Sequence, residues 1–344
     1  MRRVRRRVRI KDIAEQLGVN PATVSRALNP STQGMISRDQ VERIKNAAHE
    51  LGYIPNLSAA ALRTDRTHTI GVVVPDILNP VFPPIIKGIQ DYLHQNGYLT
   101  LIVNSNNDQQ VALEEVNKLI TRQVDGFILA NAFLKDLSVA ECLRQEMPMV
   151  LVNRTIENNK LVHQVLSDDV YGLQLAIDHL LELGHRRLLH LAGPQDILHG
   201  KQRLQAFKDI CTDKNIDHDY YQLSAFSIEQ GREGAIRYCE EPGSATAILA
   251  GNDLIAIGCI SELHKRGIHV PNDVSVIGFN NMPLADMLSP ALTTIAIPHN
   301  EFGTQSARLI LQVLETPGLS RQEVLLSPKL VVRDSTGPVK PSNE

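Results

Sequence analysis

From Thr69 onward the chain alternates short apolar runs with longer helical stretches, and few folds accommodate that alternation. The pattern predicts strands over 70–74, 99–103, 126–129, 149–152, 162–166, 188–191, 247–250, 274–278 and 294–297, with helices over 81–96, 109–122, 171–183, 201–215, 228–240 and 253–266. The rhythm runs twice, ending first near Ser167 and again near Thr294, and a further helix follows over 302–314. Two doubly wound parallel-sheet lobes of about 100 residues each, joined by several chain crossings, account for this better than one very wide sheet. In such lobes ligands bind just outside the carboxyl ends of the strands. The residues there are Asp76, Asn104, Asn131, Asn153, Arg154, Asp168, Asp169, Asn252, Asp253 and Asn280. Each alone is an ordinary turn former. Their recurrence at nearly every strand end predicts a polar cleft between the lobes, suited to sugars and other polyols, whose ring faces match an aromatic such as Phe82 or Phe226.

Ahead of the lobes, residues 9–30 read as a helix-turn-helix. Ile10, Ile13, Ala14 and Leu17 keep helical spacing, and Gly18 supplies a tight turn. Asn20 can cap a second helix with Pro21 in its first turn. Val24, Ala27 and Leu28 then face inward, leaving Asn20, Ala22, Thr23, Ser25 and Arg26 outward. Short polar groups with one guanidinium suit base edges and phosphates in a major groove. Ser37 to Gln40 is a capping-box pattern opening a third helix with Val41, Ile44, Ala47, Ala48 and Leu51 inward, closed by Gly52. The run 57–63 holds good helix formers but is too short to stand as an isolated helix.

Charge follows the same division. Through Arg63 the chain carries 12 Lys and Arg against 5 Asp and Glu, a balance of +7, whereas the whole 344-residue chain is at −3, leaving −10 for the remainder. A basic head on an acidic body points to a polyanion bound at one end. The opening run of arginines is not followed by the apolar stretch of a secretion signal, and it reads as an arm along phosphates or in a minor groove, or as a solubilising tail. No apolar run approaches the roughly 18 residues that a membrane helix needs. Cys142, Cys211, Cys239 and Cys259 show neither metal nor redox spacing, as expected of reduced thiols in the cytoplasm. Enzyme signatures are also missing. The stretch Gly193 to Lys201 has glycines too far apart for a phosphate loop, with Gln202 where Ser or Thr would hold magnesium. His179, His185 and His190 lack zinc spacing and read as surface or capping histidines. No catalytic residue, metal or cofactor is expected.

Ile-Lys-Asp-Ile-Ala at 10–14, Gly-Val-Asn-Pro-Ala-Thr-Val-Ser-Arg-Ala-Leu-Asn at 18–29, Leu-Gly-Tyr-Ile-Pro-Asn at 51–56, Val-Asp-Gly-Phe-Ile at 124–128, Leu-Gly-His-Arg-Arg at 183–187 and Pro-Asn-Asp-Val-Ser-Val-Ile-Gly-Phe at 271–279 stand in a fixed order and spacing. On these motifs the chain resembles LacI-type transcriptional regulators, the lactose- and galactose-repressor family, over practically its whole length. The resemblance implies a headpiece with basic arm over 1–56 and a hinge helix or linker over 57–67. It implies one lobe from 68–167 with about 298–327, another from 168–295 with about 328–336, and a disordered tail over 337–344. The lobes would resemble a periplasmic sugar-binding protein, which with a sugar-metabolising enzyme forms the alternative reading. The implied protein is a homodimer that represses carbohydrate or sugar-acid genes by binding a pseudo-palindromic double-stranded operator, under the control of a small effector between the lobes. The chain after Asp334 has two prolines and no heptads, so a dimer rather than a tetramer is expected.

Carried over by position, the residues set on DNA are Asn20, Pro21, Ala22, Thr23, Ser25, Arg26, Asn29, Ser37, Tyr53 and Asn56, with Leu62 wedging a minor-groove step beside Arg63. The effector pocket falls on Phe82, Asn153, Arg203, Phe226, Asn252, Asp253 and Asn280, with Asp76 and Asn131 as further lining. Two departures stand out. Many sugar-responsive members carry Asp where this chain has Asn153 and Asn280; with Arg203, Arg154 and His199 nearby, the expected ligand shifts toward a sugar acid or sugar phosphate. The segment from Asn29 to Ser37 is about two residues longer than usual between the second and third helices.

Overall fold

The computed structural model describes residues 8–29, 32–53, 66–241 and 245–339. The arginine arm through Arg7, the hinge segment with Asn56, Leu62 and Arg63, and the last five residues lie outside them. The chain divides into two compact units, Met1–Thr67 and His68–Glu344.

In the first unit, α1 (Ile10–Leu17), α2 (Pro21–Leu28) and α3 (Arg38–Glu50) enclose Ile13, Ala14, Val24, Ala27, Ile44, Ala47 and Ala48. The Asp12 carboxylate accepts the backbone N–H of Arg9 at 2.7 Å. Gly18 sits at φ 61, the left-handed conformation that lets α1 stop and the chain turn into α2. Asn20 accepts the Ala22 N–H at 2.9 Å, the cap expected of it. The longer connection to α3 is taken up by a single 3₁₀ turn, Gln33–Met35, which Lys45 of α3 holds by donating from Nζ to the Gln33 side-chain Oε1 at 3.1 Å. The expected capping box at Ser37 does not form. Its side chain makes no cap bond, and the first turn relies on Asp39 against the helix dipole.

The second unit holds two six-stranded sheets. The first lobe contains β1 (Thr69–Val74), β2 (Leu99–Asn104), β3 (Gly126–Leu129), β4 (Met149–Val152) and β5 (His163–Ser167), with α4 (Phe82–Gln95), α5 (Gln109–Thr121) and α6 (Leu137–Arg144). The second contains β6 (Arg187–Ala192), β7 (Asp217–Gln222), β8 (Ala247–Ala250), β9 (Ser275–Asn280) and β10 (Thr293–Ala296), with α7 (Asp169–Glu182), α8 (Leu198–Asp213), α9 (Ile228–Glu240) and α10 (Asp253–Lys265). The chain then recrosses. Helix α11 (His299–Glu315) packs on α4, β11 (Glu323–Leu326) pairs in parallel with β5, and β12 (Lys329–Val331) pairs antiparallel with β10. The orders are β11-β5-β4-β3-β1-β2 and β12-β10-β9-β8-β6-β7. Helices α4 and α11 touch at Gly88 and Gly303, where a Cβ on either would overlap the other helix's backbone.

Strands in the sheet centres are legible as apolar runs because both faces are covered. Edge strand β7, Asp-His-Asp-Tyr-Tyr-Gln, has no such run and was not expected; it exists because all six of its residues pair with β6. Two expectations need correction. His185 and His190 are 2% and 1% exposed rather than at the surface, with His190 Nδ1 against the Leu249 carbonyl at 2.9 Å and His185 bridging Thr246 and the Gly337 carbonyl. The tail is also anchored further along than 336, since Gly337 takes that bond and the Val339 N–H donates to Leu183.

Burial pushes His190 and His299 down to about 4. A histidine whose folded pKa lies below its unfolded one stabilises the fold fully above about 6.5 and loses that contribution as pH falls toward 4. Asp253, pushed up to about 6 by burial, gains stability over the same descent, but one carboxylate is outweighed by two histidines. Thermal unfolding is therefore expected at least roughly 3 °C lower at pH 4.5 than at pH 7, with His190→Phe narrowing the gap; equal midpoints would contradict this.

Candidate functional site

The parallel strands of each lobe point their carboxyl ends at the other lobe, and the turns that follow supply the walls of a cleft. Its lining is Asn79, Val81, Phe82, Asn153, Arg154, His199, Arg203, Phe226, Asn252 and Asn280, around a cavity of about 30 Å³. That holds roughly one or two water molecules. Asn153 and Asn280 leave β4 and β9 at φ 64 and φ 120. Non-glycine residues rarely adopt such angles, and Asn does so most readily because its short amide can bond locally.

Arg203 projects from α8 and is 4% exposed. Its Nε donates to Asp169 Oδ2 and its Nη1 to the Gly251 carbonyl, each at 2.8 Å, while the guanidinium lies 3.6 Å over the Phe279 ring. The planar fork is thus fixed on three sides before any ligand arrives, and Nη2 has no partner among the described residues. His199 stacks on Phe226, with centroids 5.2 Å apart and planes 13° from parallel, and burial next to Arg203 and Arg154 holds its pKa well below the usual range. The pair forms a neutral, flat wall. Gly193 makes the stack possible, since a Cβ there would overlap the Phe226 ring.

The structure brings Phe82, Asn153, Arg203, Phe226, Asn252 and Asn280 together. Asp253, Asp76 and Asn131 do not line the cavity. Asp253 accepts from Thr294 Oγ1 at 2.6 Å and the Met282 N–H at 2.7 Å, so one oxygen holds β10 and the other the turn after β9. Asp76 accepts the Leu78 N–H in its own loop. Asn131 is fully buried, with neither amide atom partnered among the described residues. Asn79 and Val81 carried no sequence signal, because they sit in a loop ahead of α4 whose course only the fold sets. The positive charge expected at the cleft is in part offset by its surroundings. Asp169 neutralises Arg203, His199 is uncharged, and Arg154, which burial pushes down to about 10, has Asp196 and Asp136 close enough to oppose that shift.

In the first unit, Asn20, Pro21, Ala22 and Arg26 are exposed along α2, and Thr23, Ser25 and Asn29 are half-buried. Ser37 is exposed, whereas Tyr53 packs against the small core. Among the described residues no group of His, Cys, Asp and Glu is placed to hold a metal, and no helix is long and apolar enough to cross a membrane.

Residues 9–56 match the family "Bacterial regulatory proteins, lacI family", and residues 177–336 match "Periplasmic binding protein-like domain". The chain is 30% identical to the ribose operon repressor of Halalkalibacterium halodurans over 327 residues, 95% of this chain and 96% of that one. It is 33% identical to the transcriptional repressor CytR of Escherichia coli K12 over 331 residues, again 95% and 96%. A LacI family transcriptional regulator from Enterococcus faecium, solved with bound ribose, superposes with TM-score 0.69 at 32% identity, covering 79% of this chain and all of that one.

Gly193→Ala is expected to displace Phe226 and weaken ligand binding in the cleft at least roughly tenfold, the loss of one aromatic wall. Calorimetric titration of the variant checks this; an unchanged affinity would remove the stack from the site.

Proposed function

Since the chain belongs to the lacI family of bacterial regulatory proteins, we propose that it is a cytoplasmic, dimeric repressor whose operator affinity is set by a neutral, pentose-sized sugar held between the lobes, and that it is not an enzyme. The observation that carries the ligand class is Arg203, immobilised by Asp169, Gly251 and Phe279, beside the amides of Asn153, Asn252 and Asn280. A balanced ion pair presents donors to hydroxyls without demanding a charge, and the amides supply donors and acceptors together. The His199–Phe226 wall suits the apolar face of a sugar ring. The ribose bound by the Enterococcus relative agrees with this class.

On the DNA side, α2 offers Asn20, Ala22 and Arg26 to base edges and phosphates. Two copies would place two such helices on successive half-sites, and a ligand that spoils their simultaneous engagement removes most of the affinity. Asn56, Leu62 and Arg63 are proposed to complete this surface, with Ser37, Asn29 and Thr23 at its margin.

Titration with ribose and other neutral pentoses should show saturable binding, with ribose 5-phosphate weaker; tighter binding of the phosphate would reject the neutral class. Arg203→Ala removes charge-assisted bonds and leaves Asp169 buried and unpaired, so sugar affinity should fall by a factor of roughly 30 or more. Arg203→Lys keeps the charge and separates lost binding from lost folding. Arg26→Ala should weaken cognate operator binding by roughly 5- to 100-fold and relax sequence preference, as read by gel shift against scrambled DNA. A uniform loss on both DNAs would make Arg26 a phosphate contact only.

A further inference from the structure

Next to the cleft, but sharing none of its lining residues, lies an open groove of about 560 Å³ with walls from both lobes. One wall is the face of α8 carrying Gln202, Gln205, Ala206, Asp209, Ile210 and Asp213. The eleven steps of helix from Gln202 to Asp213 span about 16 Å, so the groove is elongated. The opposite wall is β5 and β11, with Leu166, Leu325 and Glu323, and Asp168, Asp169 and Val170 close one end. Five carboxylates therefore line it over an apolar floor. Glu323 is engaged by Arg321 and Gln164, and Asp169 by Arg203. No cation pairs with Asp168, Asp209 or Asp213 among the described residues.

A second observation points to a missing ligand. Asp169 is 9% exposed, and while its Oδ2 holds Arg203, its Oδ1 has no hydrogen-bond partner among the described residues. Ser167 Oγ at the same end is likewise buried and unpartnered. A carboxylate oxygen withdrawn from water without a donor is costly, and a donor entering from the groove would satisfy it.

We propose that this groove binds an extended aliphatic di- or polyamine, with one ammonium at Asp168, Asp169 and Ser167, the methylene chain over the apolar floor, and a second ammonium at Asp209 and Asp213. A metal ion fits poorly. The carboxylates are strung along the helix rather than converging, and Leu166, Val170, Ile210 and Leu325 offer nothing to a hydrated cation. Because Asp169 contacts Arg203 with its other oxygen, an ammonium there competes for the charge that orients the guanidinium, which couples the groove to the cleft. The groove site itself does not depend on the sugar reading, since amine binding is measured with no sugar present.

The test is calorimetric titration of the full chain with spermidine and with putrescine, with magnesium chloride and sodium chloride at matched ionic strength as controls. Saturable spermidine binding that the salts do not reproduce is expected. The double variant Asp209→Asn, Asp213→Asn, on an exposed helix face and outside the sugar cleft, should weaken spermidine at least tenfold and leave sugar affinity in amine-free buffer unchanged. Binding reproduced by magnesium would reduce the groove to an acidic surface, and spermidine affinity unaltered in the double variant would place the amine elsewhere; either outcome overturns the proposal. If ribose fails to bind while spermidine binds and the double variant loses it, the sugar reading fails and the amine site stands.

Discussion

The buried pair of Arg203 and Asp169 is the constraint around which the second unit is organised. Asp169 opens α7 just after the chain first crosses between lobes, and Arg203 stands on the first turns of α8. Holding two charges out of water is costly, and their attraction compensates only when further bonds complete the geometry. Here the Gly251 carbonyl and the Phe279 face complete it for Arg203. These partners come from the turn after β8 and from β9, so the pair links a crossing, a helix and two strand ends of one sheet. A guanidinium fixed in this way is preorganised, and a ligand meeting it need not spend binding energy ordering a flexible side chain.

Around that pair the cleft is assembled from small backbone allowances. Gly193 leaves room for Phe226 and hence for the ring of His199. Gly278 lies against Asp253, whose carboxylate braces the turn that carries Asn280 and Asn281. Asparagine at positive φ ends β4 and β9 with an amide held at the cleft. The Arg203 charge is balanced by Asp169, and burial holds His199 neutral beside it.

Three short crossings join the lobes, after β5, after β10 and between β11 and β12. The cleft and the acidic groove share no lining residue, although α8 contributes to both. Any ligand with different contacts in the open and closed arrangements shifts the balance between them.

Much was legible without coordinates. Apolar runs such as Gly126–Leu129, Met149–Val152 and Ala247–Ala250 fall at the strand bounds, because strands covered on both faces must be continuously apolar. Gly18, Asn20 and Pro21 mark the turn of the first unit because a left-handed residue, a cap and a first-turn proline each leave a local signature. The polar strand ends gave the cleft, since chain order alone puts them at the carboxyl edge of a parallel sheet. Tertiary structure decided what local pattern does not encode. Edge strand β7 exists through pairing with β6, and His185 and His190 are interior because of sheet position rather than sequence context. Asp253 turned from cleft residue to brace, and Asp169 proved to be the partner of Arg203, 34 positions away. Charge balance in a cleft depends on which groups meet across such distances, and nothing local to Arg203 marks Asp169 as the group that offsets it.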